Sequence, residues 1–197
     1  MNNVNVQALL QRQNNPSFVL VEIGYGLDPI VQTIVTPFTG HRTYIGIENG
    51  MRGGVEGAQL RARRAAQRYH EQNVTFIIQD SHGQPRLPDA CADEIFAGNV
   101  FCDPQVAGND HLVRTLLMDM SRIARPDCAI VLRETVTPHL VNAQLLHYIQ
   151  EAGLGIVARL QKQSSEWDTL ESVYGRHDVV RGMKTHARSY YLFLCKL

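Results

Sequence analysis

The stretch Phe18–Pro29, FVLVEIGYGLDP, decides the fold. Residues 18–23 read as a strand buried on both faces. The strand runs into Gly24-Tyr25-Gly26, two glycines separated by one residue. Asp28 then suits a helix N-cap and Pro29 the first helical position, with the helix running to about Val35 before Thr36-Pro37 stops it. A glycine at such a turn lets a ligand approach the backbone, because no Cβ intervenes. In open α/β sheets ligands lie beyond the carboxyl ends of the strands, which is where this turn falls. A dinucleotide loop needs a third glycine three residues after the second, and Pro29 stands there instead. The turn therefore lacks the pyrophosphate fingerprint.

Outward from this turn, strand-like and helix-like segments alternate, which predicts an α/β architecture. Further strands are expected at 43–48 (TYIGIE), 74–80 (VTFIIQD), 92–100 (ADEIFAGNV), 128–135 (CAIVLRET), 155–161 (GIVARLQ) and 189–197 (SYYLFLCKL). A helix is expected over 55–72, with Ala58, Leu60, Ala62, Ala65, Ala66 and Tyr69 as its apolar contacts. A second spans 110–124, with Leu112, Leu116, Met120 and Ile123 at helical spacing. A third covers 140–153 and ends at Gly153, a C-cap signal. The segment 162–188 is polar, mixed in charge and long for a connector. It joins the last two strands without a clear crossover helix, so an antiparallel pair is expected at one sheet edge. The expected whole is a single domain over 1–197: a seven-stranded, mostly parallel, Rossmann-like sheet with an antiparallel last strand and helices on both faces. Residues 1–16 form a short N-terminal segment and 162–188 an insert.

Composition narrows the function. Apolar residues make up 44% of the chain, enough for a core and against disorder. Lys+Arg and Asp+Glu both total 19, so the chain lacks the positive field of a dedicated nucleic-acid binder. The polar start MNNVNVQALLQRQNNP has no signal-peptide core, and no apolar run approaches a membrane span. Cys91, Cys102, Cys128 and Cys195 form no Cys-x-x-Cys pair, which argues against metal ligation and a disulfide framework. The expectation is reduced thiols in the cytoplasm, with no bound metal.

The strand ends carry the candidate chemistry. Glu48 closes the second strand, where a carboxylate can accept two hydrogen bonds from ribose hydroxyls. Asp80, followed by Ser81, closes the third, where it can accept from an adenine amine. Asn99 closes the fourth. A glycine turn and three polar groups thus line one edge of the sheet in chain order.

These residues resemble the class I S-adenosylmethionine-dependent methyltransferases over about 17–160, with a matching last strand. VEIGYG is similar to the family's first motif, an acidic residue before G-x-G, although Asp28 stands where a further glycine is common. YIGIE resembles the ribose-binding strand end. VTFIIQDSHGQPRLPDACADEIFAGNV resembles the block that follows, and MSRIARPDCAIVLRE the helix and strand usually joined by an R-x-L-x-P-G-G turn, here with Asp127-Cys128 for the glycines. The resemblance implies a reversed final strand and S-adenosyl-L-methionine as cofactor. It places Gly24 and Gly26 at the methionine part, Glu48 at the ribose, Asp80 and Ser81 at the adenine, and Asn99 on the site floor, with Glu22, Tyr25 and Asn49 also among the cofactor-binding residues.

Methyl transfer from a sulfonium is an in-line displacement, and much of its catalysis can be alignment. A base is needed only if the acceptor has a proton to lose, and no triad is evident. Acceptor-side candidates are Asp103, His111, Glu134, His139, Tyr174 and His177. The leading expectation is transfer to a small-molecule acceptor. A tRNA guanine-N7-type enzyme stands beside it, because NVFCDP (99–104) resembles F-P-D-P-W; Gln105 replaces the tryptophan and the basic run is absent. The locally basic RHDVVRGMKTHARS (176–189) could meet phosphate, whereas Arg61, Arg63, Arg64 and Arg68 read as an exposed helix face. A non-catalytic binding protein on the same fold is the third reading. The short segment before Phe18 leaves the site open or closed by a partner subunit, so a homodimer is possible.

Overall fold

The computed structural model describes residues 5–25, 29–34, 36–48, 54–78, 87–135, 142–161, 165–174 and 189–197. The strands are β1 (Val19–Ile23), β2 (Thr43–Glu48), β3 (Val74–Ile78), β4 (Ala92–Gly98), β5 (Ala124–Thr135), β6 (Leu154–Gln161) and β7 (Ser189–Lys196). The helices are α1 (Val6–Arg12), α2 (Gly54–Arg68), α3 (Pro104–Ala107), α4 (Asp110–Ile123), α5 (Asn142–Glu151) and α6 (Ser165–Tyr174). The strands form one seven-stranded sheet in the order β3-β2-β1-β4-β5-β7-β6. β1 to β5 pair in parallel, and β7 runs antiparallel between β5 and β6. The order reverses between β1 and β4, which opens a crevice beyond their carboxyl ends.

Strand alternation divides the core into two layers. On one face Val21, Ile23, Ile95, Ala97, Ile130 and Leu132 pack against Val113, Leu117 and Met120 of α4 and Leu145 and Ile149 of α5. On the other, Leu20, Tyr44, Phe96, Val131 and Tyr191 pack against Val6 and Leu9 of α1 and Trp167, Leu170 and Tyr174 of α6. The buried stripe of α4 includes Met120 and Ile123 as expected, but in its first half Val113 and Leu117 are enclosed and Leu112 and Leu116 flank them. On α2, Ala58 and Ala62 are buried but Leu60 and Ala66 are exposed.

Three elements depart from expectation. The segment after Pro29 forms only a 3-10 turn, Ile30–Gln32, with Pro29 extended at its start. PIVQTIVTP is rich in β-branched residues and ends at Pro37, a poor composition for a longer helix. α6, inside the presumed connector, packs in the same layer as Ile30 and Val31, and the Thr33 hydroxyl donates to the Val173 carbonyl. α1 is capped by Asn5, whose Oδ1 accepts the Ala8 N–H at 3.0 Å. It lies on this face too, so it is a structural brace in the core layer. A buried carboxyl joins these pieces: Glu94 of β4 accepts from the Tyr174 hydroxyl at 2.6 Å and from Gln13 Nε2 at 3.0 and 3.3 Å.

Candidate active site

Gly24 ends β1 at φ +70°, the left-handed region in which a side chain is strained. Its N–H donates to the Ile47 carbonyl at 2.7 Å, which ties the turn to the end of β2. A Cβ on Gly24 would lie 2.7 Å from Val100 Cγ2, so the turn also fits closely against the loop after β4. Glycine is required here by conformation and by space.

Glu22 is fully enclosed. Its Oε2 accepts the Ile30 N–H at 2.8 Å and the Tyr44 hydroxyl proton. Glu22 thus holds the chain that leaves the glycine turn. Tyr25 turns inward, 1% exposed, with its ring edge-on to Phe76 at 5.1 Å. Its hydroxyl has no hydrogen-bond partner among the described residues. Burial foremost, then the charge of Glu48, pushes the phenol up to about 12, while Arg61 pulls it down. Arg61 is half-buried, while Arg63, Arg64 and Arg68 are exposed as expected. Glu48 is the last residue of β2 and is buried.

Beyond β4, Asn99 adopts φ +56°, a conformation that Asn tolerates better than most residues. Its N–H donates to the Arg133 carbonyl at 2.6 Å, and the Cys102 thiol points at its Oδ1 at 3.6 Å. Glu134, an acceptor-side candidate, is fully buried. Its carboxylate accepts the N–H groups of Phe101 at 3.1 Å and Cys102 at 2.9 Å, and so fixes the loop after β4. Burial pushes this carboxyl up to about 7, opposed by those N–H groups. Tyr190 lies directly across from Glu134 on β7, buried, with its hydroxyl unpartnered among the described residues and the Arg159 guanidinium 4.5 Å above its ring.

The remaining candidates separate clearly. Asp103 caps α3, its Oδ1 accepting the Gln105 N–H at 3.0 Å. His111 is an exposed residue of the first turn of α4. Tyr174 is corrected from the acceptor list: it is fully buried, stacked on Phe96 at 5.0 Å and bonded to Glu94. Gly26, Asn49, Asp80, Ser81, His139 and His177 lie outside the described residues, as does 175–188. Sequence reading missed Tyr190 as a strand-end polar group, because only the register of β5 and β7 brings it beside Glu134.

Together Gly24, Tyr25, Glu48 and Asn99 line the carboxyl ends of adjacent strands at the switch point of the sheet. They supply a close-approach glycine turn, a carboxylate acceptor and a phenol whose hydroxyl has no hydrogen-bond partner among the described residues. Among the described residues no group of three His, Cys, Asp or Glu could hold a metal ion, and no helix is long and apolar enough to cross a membrane.

No known family profile and no curated protein sequence matches the chain. Solved structures do. A geranyl diphosphate methyltransferase in complex with SAM superposes with a TM-score of 0.63 at 12% identity, covering 98% of this chain and 84% of that one. A TehB-like SAM-dependent methyltransferase from Corynebacterium glutamicum gives 0.62 at 12% identity over 99% and 89%. The [4+2]-cyclase SpnF gives 0.62 at 15% identity over 97% and 80%. The chain has the fold of the class I S-adenosylmethionine-dependent methyltransferases, including the reversed β7.

Proposed function

We propose that this chain binds S-adenosylmethionine across the carboxyl ends of β1, β2 and β4 and transfers its methyl group to a small-molecule acceptor. The observation that carries the reading is the left-handed Gly24 turn, bonded to the end of β2, with Glu48 closing that same strand. The methyltransferase neighbours and the resemblance of VEIGYG and YIGIE support it. When bound, S-adenosylmethionine supplies a methyl group already activated as a sulfonium.

The protein's part is then mainly placement. Gly24 lets the amino-acid end of the cofactor approach the backbone. Glu48 accepts from the ribose hydroxyls. Asn99 and the loop that Glu134 holds form the floor toward the acceptor. Gly26, Asn49, Asp80 and Ser81 complete the cofactor site in this reading, and Asp103, His111, His139 and His177 stay candidates for the acceptor side. The balanced net charge favours a small acceptor over RNA.

Calorimetry with S-adenosylmethionine and S-adenosylhomocysteine tests the site. Wild type binds both, and Glu48→Ala weakens binding by roughly 10- to 100-fold, the loss of hydrogen bonds to a charged group. Silence of the wild type toward both ligands overturns the reading. Binding without turnover on a broad acceptor panel keeps the cofactor site and removes the transfer, an outcome that the cyclase neighbour makes concrete.

A further inference from the structure

We propose that Tyr25 is a specificity-determining residue for the sugar of the bound nucleoside: its hydroxyl donates a hydrogen bond to the ribose diol that Glu48 accepts from. The inference rests on the cofactor reading and deepens it.

Tyr25 follows directly on Gly24, the residue fastened to the end of β2. Its ring covers Gly46 of β2, where an added Cβ would lie 3.0 Å from Tyr25 Cδ1, 2.9 Å from Phe76 Cδ1 and 3.1 Å from the Tyr44 hydroxyl. Glu48 is two residues further along the same face of β2, roughly 6.5 Å on. Thus the absence of a side chain at Gly46 is what admits the Tyr25 ring against this face of β2.

A buried phenol without a partner costs about 1–3 kcal/mol, and such groups in native proteins need an explanation. Tyr44, against the same glycine, has its partner in Glu22; Tyr25 has none among the described residues. Burial keeps the Tyr25 proton in place at neutral pH, so the group is available as a donor. A carboxylate can only accept. A vicinal diol both donates and accepts: with its protons turned to Glu48, its oxygens still lack donors. Tyr25 supplies one. The pair therefore matches a cis-diol, and neither residue alone does.

The test uses the full chain, calorimetry, and three probes: S-adenosylhomocysteine and its 2′-deoxy and 3′-deoxy forms. Tyr25→Phe binds S-adenosylhomocysteine about tenfold more weakly than wild type, one neutral hydrogen bond. For one of the two deoxy forms the wild type and Tyr25→Phe bind alike, which identifies the hydroxyl. Equal affinity of the two proteins for S-adenosylhomocysteine overturns the inference while leaving the cofactor reading intact. Equal weakening for all three probes also overturns it, because Tyr25 then acts by shape alone. The ligand-free melting temperature of Tyr25→Phe equals or exceeds that of wild type; a fall of several degrees exposes a structural partner and overturns the inference as well. A wild type that ignores all three probes removes the cofactor reading itself.

Discussion

Among the tyrosines buried near glutamates in this molecule, Tyr174 and Tyr25 differ in one respect. In the middle of the sheet, Tyr174 donates to Glu94 and accepts from Gln13, and the set closes on itself. At the rim, Tyr25 lies near Glu48 with its hydroxyl unpartnered among the described residues. The first arrangement joins α1, β4 and α6, three elements distant in the chain. The second joins a turn to a strand end and leaves a donor over. Closure of hydrogen bonds marks a structural device, and the orphaned donor at the switch point is the one assigned above to a ligand. Glu22 and Glu134 follow the first pattern although they flank the site, since both accept from backbone N–H groups of the loops beside them.

The largest effect that bears on this contrast is at Glu94. Glu94→Ala leaves the Tyr174 hydroxyl proton buried without an acceptor and Gln13 Nε2 with Tyr174 alone, and should cost roughly 3 kcal/mol in urea denaturation. An unchanged midpoint would mean that the cluster is not structural. The same carboxyl imposes a pH dependence. Burial pushes it up to about 7 from the usual 4.5, against the bonds from Tyr174 and Gln13. The unfolded chain therefore loses this proton first. Stability from Glu94 is complete below about pH 4.5 and is lost as the pH rises through about 7. Glu94→Gln cannot titrate. Between pH 5 and pH 8 the wild type should lose on the order of 2 kcal/mol more than this variant. A parallel response of the two proteins would remove the buried carboxyl as the source.

At the rim, Gly24→Ala combines a strained φ with a clash at Val100, for about 1–2 kcal/mol of stability and a loss of affinity for S-adenosylhomocysteine. Adding Val100→Ala relieves the clash and leaves the strain. If the double variant recovers full stability, the positive φ was unimportant and the turn is set by packing alone.

The contrast also explains what could be read from the residues. β1 and β2 were legible because FVLVEI and TYIGIE are continuous or alternating apolar runs, and the reversed β7 followed from the missing crossover signal. The places of Gly24 just after β1 and of Glu48 at the end of β2 were legible because a strand that runs into a glycine or closes on a carboxylate is a local feature. α6 was not, since Trp167, Leu170 and Tyr174 form a sparse stripe among Ser, Glu, Asp and Thr. The roles of Glu22, Glu94 and Glu134 were hidden for a different reason. A carboxylate on a strand has the same letter whether it faces solvent or caps a loop far away in the chain, and only register and packing decide. Tyr174 shows the cost of that ambiguity: as a polar-tipped residue in a polar segment it read as acceptor-side, and folding buries it beneath Phe96.

The smallest effect is the most discriminating. Tyr174→Phe and Tyr25→Phe remove the same atom from two buried rings. At Tyr174 that atom donates to Glu94 at 2.6 Å, so its loss should lower the ligand-free stability by about 1–2 kcal/mol. At Tyr25 it bonds to nothing among the described residues, so its loss should leave stability unchanged or raise it. Affinity for S-adenosylhomocysteine should respond in the opposite order, falling for Tyr25→Phe and holding for Tyr174→Phe. Chemical denaturation and calorimetry on the two variants give four numbers, and the crossed pattern is what distinguishes a donor kept for a ligand from a donor kept for the fold. If both variants lose stability alike and neither loses affinity, Tyr25 belongs with Tyr174, and the rim holds its phenol for the same reason that the core does.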